Sequence, residues 1–450
     1  MFLDIETRRK MNPAAVQDDG SVITYGELTG FCRETIMDLP DRSLIFCLCK
    51  NSIGSVAGYA AIMSAGCVPL MIDADVDDEL LNELIDTYQP DYIWLPMDRT
   101  KKADAATATY KDTTIATGTT SEALAKRDEE TAKQIAEAKE NASKKVSSRV
   151  GQEIRVTSGV VGEIRMDRYG YDLVRLKPIE EIKRLAAMPS AKELEKGDRP
   201  RLHPELALLM MTRGTTGDPK VVRLSDENVF INAAAIVDYL EIGEFDRAIT
   251  TLPMSHNYGL SVINSHLLAG AELLLTDMSV TKKEFWDFFN REKATSFAGD
   301  ADVFEKLEGI DFDKKLLPSL KYMTQSGRGF SKELHKKYAE IADKWSKRFY
   351  VMYGQTEASA MITYLPYVNT LKKIGSIGVA IPGGKVTLID SEGNAIEEPH
   401  VPGEIVYEGR NVSHGYASFL ADLNDDDKNS GILHTGDMAE MDEDGYFYLV

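Results

Sequence analysis

Apolar runs of two kinds alternate along the N-terminal part of the chain. "SLIFCLC" ending at Cys49, "CVPLMID" ending at Asp73 and "PDYIWLP" ending at Pro96 are continuous apolar runs of strand length. Between them, "SIGSVAGYAAIMSAGC" is rich in Ala and Gly, and "DDELLNELIDTYQ" repeats its apolar residues near the helical period. The order strand, helix, strand, helix, strand predicts a parallel sheet covered by helices, with the Ala/Gly-rich helix packed closely on it. Cys47 and Cys49 stand two apart in a strand and so share a face.

The alternation resumes at Leu206. "LALLMMT", "AELLLTD", "LKYMTQSG" and "RFYVMYG" read as strands, while "SDENVFINAAAIVDYL" and "KKEFWDFFNREK" read as helices, the first capped by Ser225. After about Gly375 the segments shorten. "GKVTLIDSEGNAIEE", "GEIVYEG" and "GYFYLV" are short strands with Gly, Asn and Asp turns, a β-rich subdomain.

Residues 100–165 break this texture, with Tyr110 as their one aromatic residue. A Thr/Ala-rich tract precedes a charged stretch that predicts a helix with a thin apolar side, opened by a Thr119–Glu122 capping box. "MDR" occurs at 97–99 and again at 166–168, and joining Arg99 to Tyr169 leaves a continuous α/β pattern. The segment is therefore read as an insertion, natural or engineered. It separates a first α/β part (1–99) from a second (166–365), and the β-rich part fills 366–450.

Composition narrows the function classes. The 450 residues carry 72 acidic and 52 basic side chains, a formal net charge of −20. A field of that sign disfavours nucleic acid and anionic lipid as partners, while a local pocket can still take a small phosphorylated ligand. The four cysteines lie within the first 67 residues, without zinc-site spacing, and predict reduced, buried thiols and a cytoplasmic location. The start, "MFLDIETRRKMNP", lacks the apolar core of a signal peptide, and no run is long enough to span a bilayer.

Four stretches carry candidate chemistry. "MTRGTTGDPK", Met211 to Lys220, follows a buried strand; its glycines allow inward-facing N–H groups, and Thr212, Thr215, Thr216 and Lys220 add donors and charge. It fits a phosphate cradle or a ligand-free Gly/Thr turn, and it is not a Walker loop. "MYGQTEAS" sets Tyr353, Thr356 and Glu357 at a strand end: a ring to stack a base, a hydroxyl for phosphate, a carboxylate for Mg²⁺. "HTGDMAEMDEDGYFYLV" puts Asp437 in a tight turn, able to accept from two ribose hydroxyls. "LPMSHNYGL" puts His256 and Tyr258 on a loop after a strand.

In this order the four stretches resemble the adenylate-forming superfamily: acyl-CoA synthetases, the adenylation domains of peptide synthetases, and luciferase. The resemblance covers nearly all of the chain outside 100–165. "LSVINSHLLAGAELLLTD" and "FYVMYGQTEASAMITYLP" look most like its fatty-acid-CoA-ligase-like branch. It implies an α/β fold of two helix-flanked, mostly parallel sheets plus the β-rich subdomain. It also implies a cradle of Thr212, Arg213, Gly214, Thr215, Thr216, Gly217 and Lys220 for the β- and γ-phosphates of ATP. Gly327, Tyr353 and Gly354 would hold adenine, Thr356 the α-phosphate, Glu357 the Mg²⁺ and Asp437 the ribose, with His256 a gate beside the acyl pocket. The implied reaction joins a small carboxylic acid to AMP and then passes the acyl group to CoA or a carrier-protein thiol.

The chain departs from that family in several places. Arg213 stands where Ser is usual, Val221 where Gly is common, and Arg328 where a small residue is common. Asp300 and Asp302 fall where apolar residues or proline border the acyl pocket, which favours a polar acid, an inactivated site, or side chains turned to solvent. The C-terminal lid domain with its bridging lysine is absent from this sequence, so weak turnover is expected. The other reading is a nucleotide-binding pseudoenzyme or an engineered, truncated scaffold presenting the 100–165 segment. A peptide-synthetase adenylation domain fits less well, because "SVINSHLLAG" offers no Asp for an amino group.

Overall fold

The computed structural model describes residues 1–40, 42–99, 149–157, 160–176, 201–212, 220–327 and 329–450. The helix and capping box expected within 100–148 lie outside the described residues.

The apolar runs form two nine-stranded sheets. At the centre of one, Leu206–Met211, Val68–Asp73, Leu44–Cys49 and Tyr92–Pro96 run parallel. The other has a parallel core of Glu272–Leu275, Arg247–Ile249, Ser296–Gly299, Tyr322–Ser326 and Arg348–Tyr353. Strands at the edges of both sheets pair antiparallel. A third sheet of five antiparallel-paired strands, spanning Lys385 to Leu449, is the β-rich part.

The sheets cut across the division at 99 and 166. Pro13–Gln17 and Val22–Thr24 join the sheet of the later residues, and Leu206–Met211 and Val221–Ser225 join the sheet of the earlier ones. The boundary at 165 falls inside a strand. Glu153–Arg155 and Val161–Arg168 extend the sheet edge, the latter paired with Tyr171–Leu176, which pairs with Tyr92–Pro96. Alternating polar residues such as Glu163 and Arg165 hid these strands inside a charged segment.

The Ile53–Ser64 helix is buried from Ile53 to Met63. Its core joins Ala14 and Ala15 of one sheet to Ile45, Cys47 and Cys49 of the other, so it lies between the two sheets. A helix buried all round needs small residues where backbones approach. A Cβ on Gly58 would stand 2.1 Å from the Trp94 indole nitrogen, and one on Gly54 2.2 Å from the Tyr171 ring. Strand alternation sends Leu44, Phe46 and Leu48 to the opposite core. All four cysteines are buried free thiols. Among the described residues no helix is long and apolar enough to cross a membrane.

His266 lies on the inner face of the Asn257–Ala269 helix. Its Nδ1–H donates to Val262 O at 2.8 Å, and its Nε2 accepts from Tyr322 Oη at 3.3 Å. Burial pushes its pKa down to about 4. The folded state therefore resists protonation while the unfolded chain takes up its proton near pH 6.5. Stability is full above that pH and falls by roughly 1 kcal/mol per pH unit down to about pH 4. Denaturant titrations at stepped pH should show this loss, and His266→Gln should reduce the slope between those limits, leaving the share of His335, whose pKa burial likewise lowers to about 4.

Candidate active site

The parallel strands Tyr322–Ser326 and Arg348–Tyr353 end side by side, with Ser326 in register with Met352. Strand ends of this kind are where open α/β sheets bind ligands. Gly327 follows one strand at φ 104, a backbone that disfavours any side chain. After the other strand the chain reverses. Ile362 N donates back to Tyr353 O at 2.9 Å, and a Cβ on Gly354 would stand 1.8 Å from Ala360 O. Gly354 is thus fixed by backbone packing inside the reversal.

This reversal carries Thr356 and Glu357 and is strained: Ser359 holds φ 60 and Ala360 φ 139. Two buried amides hold it. Asn411 Nδ2 donates to Ala358 O at 2.8 Å and to Met361 O at 3.1 Å, while Asn232 Nδ2 reaches Met361 O at 2.9 Å. Tyr407 Oη orients Asn411 by donating to its Oδ1 at 2.7 Å, and Ser413 N donates to Glu357 O at 2.8 Å. Asn232 and Asn411 were not singled out in the sequence. Their signal is a buried amide in an otherwise apolar helix, "VFINAAAIV", and another in a turn, "GRNVS".

Tyr416, also missed, links two expected residues. Its hydroxyl donates to Glu357 Oε1 at 2.6 Å, and Lys220 Nζ lies 4.9 Å from its ring centroid. Burial and the bond to Glu357 push the phenol pKa upward. Strand pairing of Val222 with Tyr416 brings the base of the loop here, and Thr212 and Lys220 close that base by a bond of 2.9 Å. Arg213, Gly214, Thr215, Thr216 and Gly217 lie outside the described residues, as does Arg328.

Asp437 and Tyr353 meet directly, Tyr353 Oη donating to Asp437 Oδ2 at 2.8 Å. Asp437 sits in the long Ile432–Met441 strand and not in a tight turn. A register shift opposite Glu404–Val406 and Gly436 at φ 71 bulge the strand there and aim the carboxylate at Tyr353.

His256 occupies the N-cap position of the Asn257–Ala269 helix without a side-chain capping bond, and Tyr258 lies in its first turn. Tyr258 Oη and Thr324 Oγ1 are 2.8 Å apart over a cavity of about 20 Å³. The cavity is lined by Val262, His266, Ala298, Tyr322 and Met352, among others. Asp300 and Asp302 are not among its lining residues. Asp300 Oδ1 accepts from Val303 N at 3.0 Å as a helix cap, and Asp302 is an exposed ion pair with Lys306 at 2.5 Å. Of the readings left open for the pair, Asp302 takes the one turned to solvent, while Asp300 caps the Ala301–Glu308 helix and stays near enough to Tyr258, a cavity-lining residue, for its charge to act on that phenol.

The donor set fits a nucleotide and a hard cation. Gln355 Nε2 is buried without a partner, and among the described residues the Thr356 hydroxyl makes no hydrogen bond. Glu357 spends one carboxylate oxygen on Tyr416 and keeps the other open.

A sequence model of the family described as AMP-binding enzyme matches residues 4–417. A long-chain-fatty-acid–CoA ligase of Bacillus subtilis is 30% identical over 265 residues, 56% of this chain and 45% of the relative. A 2-succinylbenzoate–CoA ligase of Bacillus cereus is 30% identical over 253 residues, 55% of this chain and 49% of the relative. The matches thus span about half the length of these relatives. Among solved structures, o-succinylbenzoate CoA synthetase from Bacillus subtilis in complex with its acyl-adenylate intermediate superposes with a TM-score of 0.68 at 18% identity, covering 99% of this chain and 77% of that one. The N-terminal domain of FACL13 from Mycobacterium tuberculosis gives 0.67 at 17%, covering 97% and 95%. At these identities the likeness is one of fold.

Replacing Asn411 by Ala strips Ala358 O of its best donor and leaves the Tyr407 hydroxyl unpaired. Denaturant unfolding should show a loss of about 2 kcal/mol or more. Asn411→Asp should lose at least as much, because a carboxylate then faces two carbonyl oxygens.

Proposed function

The chain belongs to the AMP-binding enzyme family, and from that premise we propose that it activates a carboxylic acid with ATP, forming an acyl-adenylate, and passes the acyl group to a thiol such as that of CoA. The observation that carries this reading is the unspent donor and acceptor set on one strained reversal: Gln355 Nε2, the Thr356 hydroxyl and the second oxygen of Glu357.

In the reaction a carboxylate oxygen attacks the α-phosphorus of ATP, the bond from that phosphorus to the bridging oxygen breaks, and pyrophosphate leaves. An anion thereby approaches a polyanion, so charge neutralisation and placement are what the protein must supply. Thr356 would donate to the α-phosphate. Thr212, Lys220 and the residues 213–217 between them would receive the leaving phosphates. Glu357, oriented by Tyr416, would hold Mg²⁺, which supplies Lewis-acid stabilisation of phosphate charge when bound. Asp437, with one oxygen tied to Tyr353, would take the ribose hydroxyls. His256 would border the entry of the acid. The thiol then attacks the acyl carbon and AMP leaves.

The cavity beneath Tyr258 receives the acid's tail. A free volume of about 20 Å³ is close to what one water needs, so the tail is short despite the long-chain substrates in the names of some relatives. ATP–pyrophosphate exchange across straight-chain acids should peak at two to four carbons, and Met352→Ala should move the optimum to longer acids. Glu357→Gln should lower exchange by about 100-fold or more, the scale of a lost charge stabiliser. Tyr416→Phe should weaken Mg²⁺-dependent ATP binding severalfold at unchanged stability. ATP binding without exchange on any acid would favour a nucleotide-binding protein over an enzyme.

A further inference from the structure

A second cluster of chemistry lies away from this site, where the segment before the Leu206–Met211 strand meets the segment before Tyr416–Ala417. His203, Glu205 and His414 each place a ligand atom there, all within 4.8 Å of one another. Backbone bonds build both sides. His203 N donates to Leu423 O at 2.9 Å, and His414 N donates to Arg223 O at 2.9 Å. The Arg223 guanidinium is spent on the carbonyl oxygens of His414, Asp425 and Asp426.

His414 is only 7% exposed, and among the described residues neither of its ring nitrogens makes a hydrogen bond. This imidazole lies beside a second imidazole and a carboxylate and is bonded to neither, so its nitrogens are open to a metal ligand role. The Glu205 carboxylate is likewise unbonded, and being exposed it can swing inward. The third ligand is already oriented. His203 Nε2 lies 3.4 Å from Asp426 Oδ1, while its Nδ1 accepts only a long bond of 3.3 Å from Glu205 N. An imidazole with one nitrogen facing a carboxylate and the other facing the cluster approaches the arrangement of a metal-bound histidine with its outer carboxylate.

We propose that His203 Nδ1, His414 and Glu205 bind one zinc-class divalent ion, with Asp426 as the outer carboxylate and water completing the shell. Two imidazoles and a carboxylate suit a borderline-soft cation and not Mg²⁺ or Ca²⁺. Zinc ligands at about 2.0–2.2 Å from the ion stand closer together than the span here, so binding draws the three groups inward by roughly an ångström. The ion would brace residues 203–205 against the segment carrying Tyr416, two residues beyond His414.

Titrating Zn²⁺ into chelator-stripped protein by calorimetry should show one site per chain, and Co²⁺ should produce visible ligand-field bands. His203→Ala, His414→Ala and Glu205→Gln should each weaken binding at least tenfold, and Asp426→Asn by about tenfold. His434→Ala, at an exposed histidine beside Glu404, should change nothing. Glu205→Gln alters an exposed side chain, so its melting temperature without metal should match the parent. No saturable Zn²⁺ binding, or binding that survives both His414→Ala and Glu205→Gln, overturns the proposal.

Discussion

The constraint on which the site rests is the chain reversal between Tyr353 and Met361. Two of its residues, Ser359 and Ala360, hold backbone angles that L-residues disfavour, at a cost of order 1–3 kcal/mol each. Such a turn persists only where its surroundings over-determine it. Asn232 comes from a helix packed on the sheets and Asn411 from the third sheet's turn, and both grip the same Met361 carbonyl. Their four-sided satisfaction of buried carbonyls fixes the turn without using the side chains of Gln355, Thr356 or Glu357. Gln355 Nε2, the Thr356 hydroxyl and one oxygen of Glu357 are left without a bond among the described residues because the backbone, not they, holds the loop.

Three layers then converge on that turn. The sheet of Tyr322–Ser326 and Arg348–Tyr353 supplies the strand ends at Gly327 and Tyr353. The five-stranded sheet, bulged at Gly436, turns Asp437 onto Tyr353. The sheet of Leu206–Met211 brings the base of the Thr212–Lys220 loop through its pairing with Tyr416. An acidic chain is compatible with the proposed anionic ligand because the groups facing the candidate site are donors, one lysine and carboxylates suited to a cation. Net charge does not decide that local balance.

Much of this was legible in the residues. Period-two and helical spacing located the strands and helices, and Ser225 does cap its helix, in a capping box with Asn228. Pairing partners were not legible, because the same apolar run suits either sheet. Hence Pro13–Gln17 and Leu206–Met211 exchange places relative to the linear division. Glu153–Arg155 and Val161–Arg168 escaped because edge strands carry charge on their open face, which reads as a solvated segment. In the candidate site, Lys220, Thr356, Glu357 and Asp437 stood out in the sequence because each belongs to a strong local motif. Tyr416, Asn232 and Asn411 were not, since each acts across more than fifty residues of separation. The helix-capping bond of Asp300 was not legible for the opposite reason, being invisible until the Ala301–Glu308 helix is placed.

The most direct test of the account is a crystal structure of the chain with Mg²⁺ and a non-hydrolysable ATP analogue. The account predicts an α-phosphate oxygen against the Thr356 hydroxyl, the cation on the oxygen of Glu357 that Tyr416 leaves open, and the Tyr353–Met361 backbone unmoved. A nucleotide bound elsewhere, or a reversal that must refold before it binds, would contradict it.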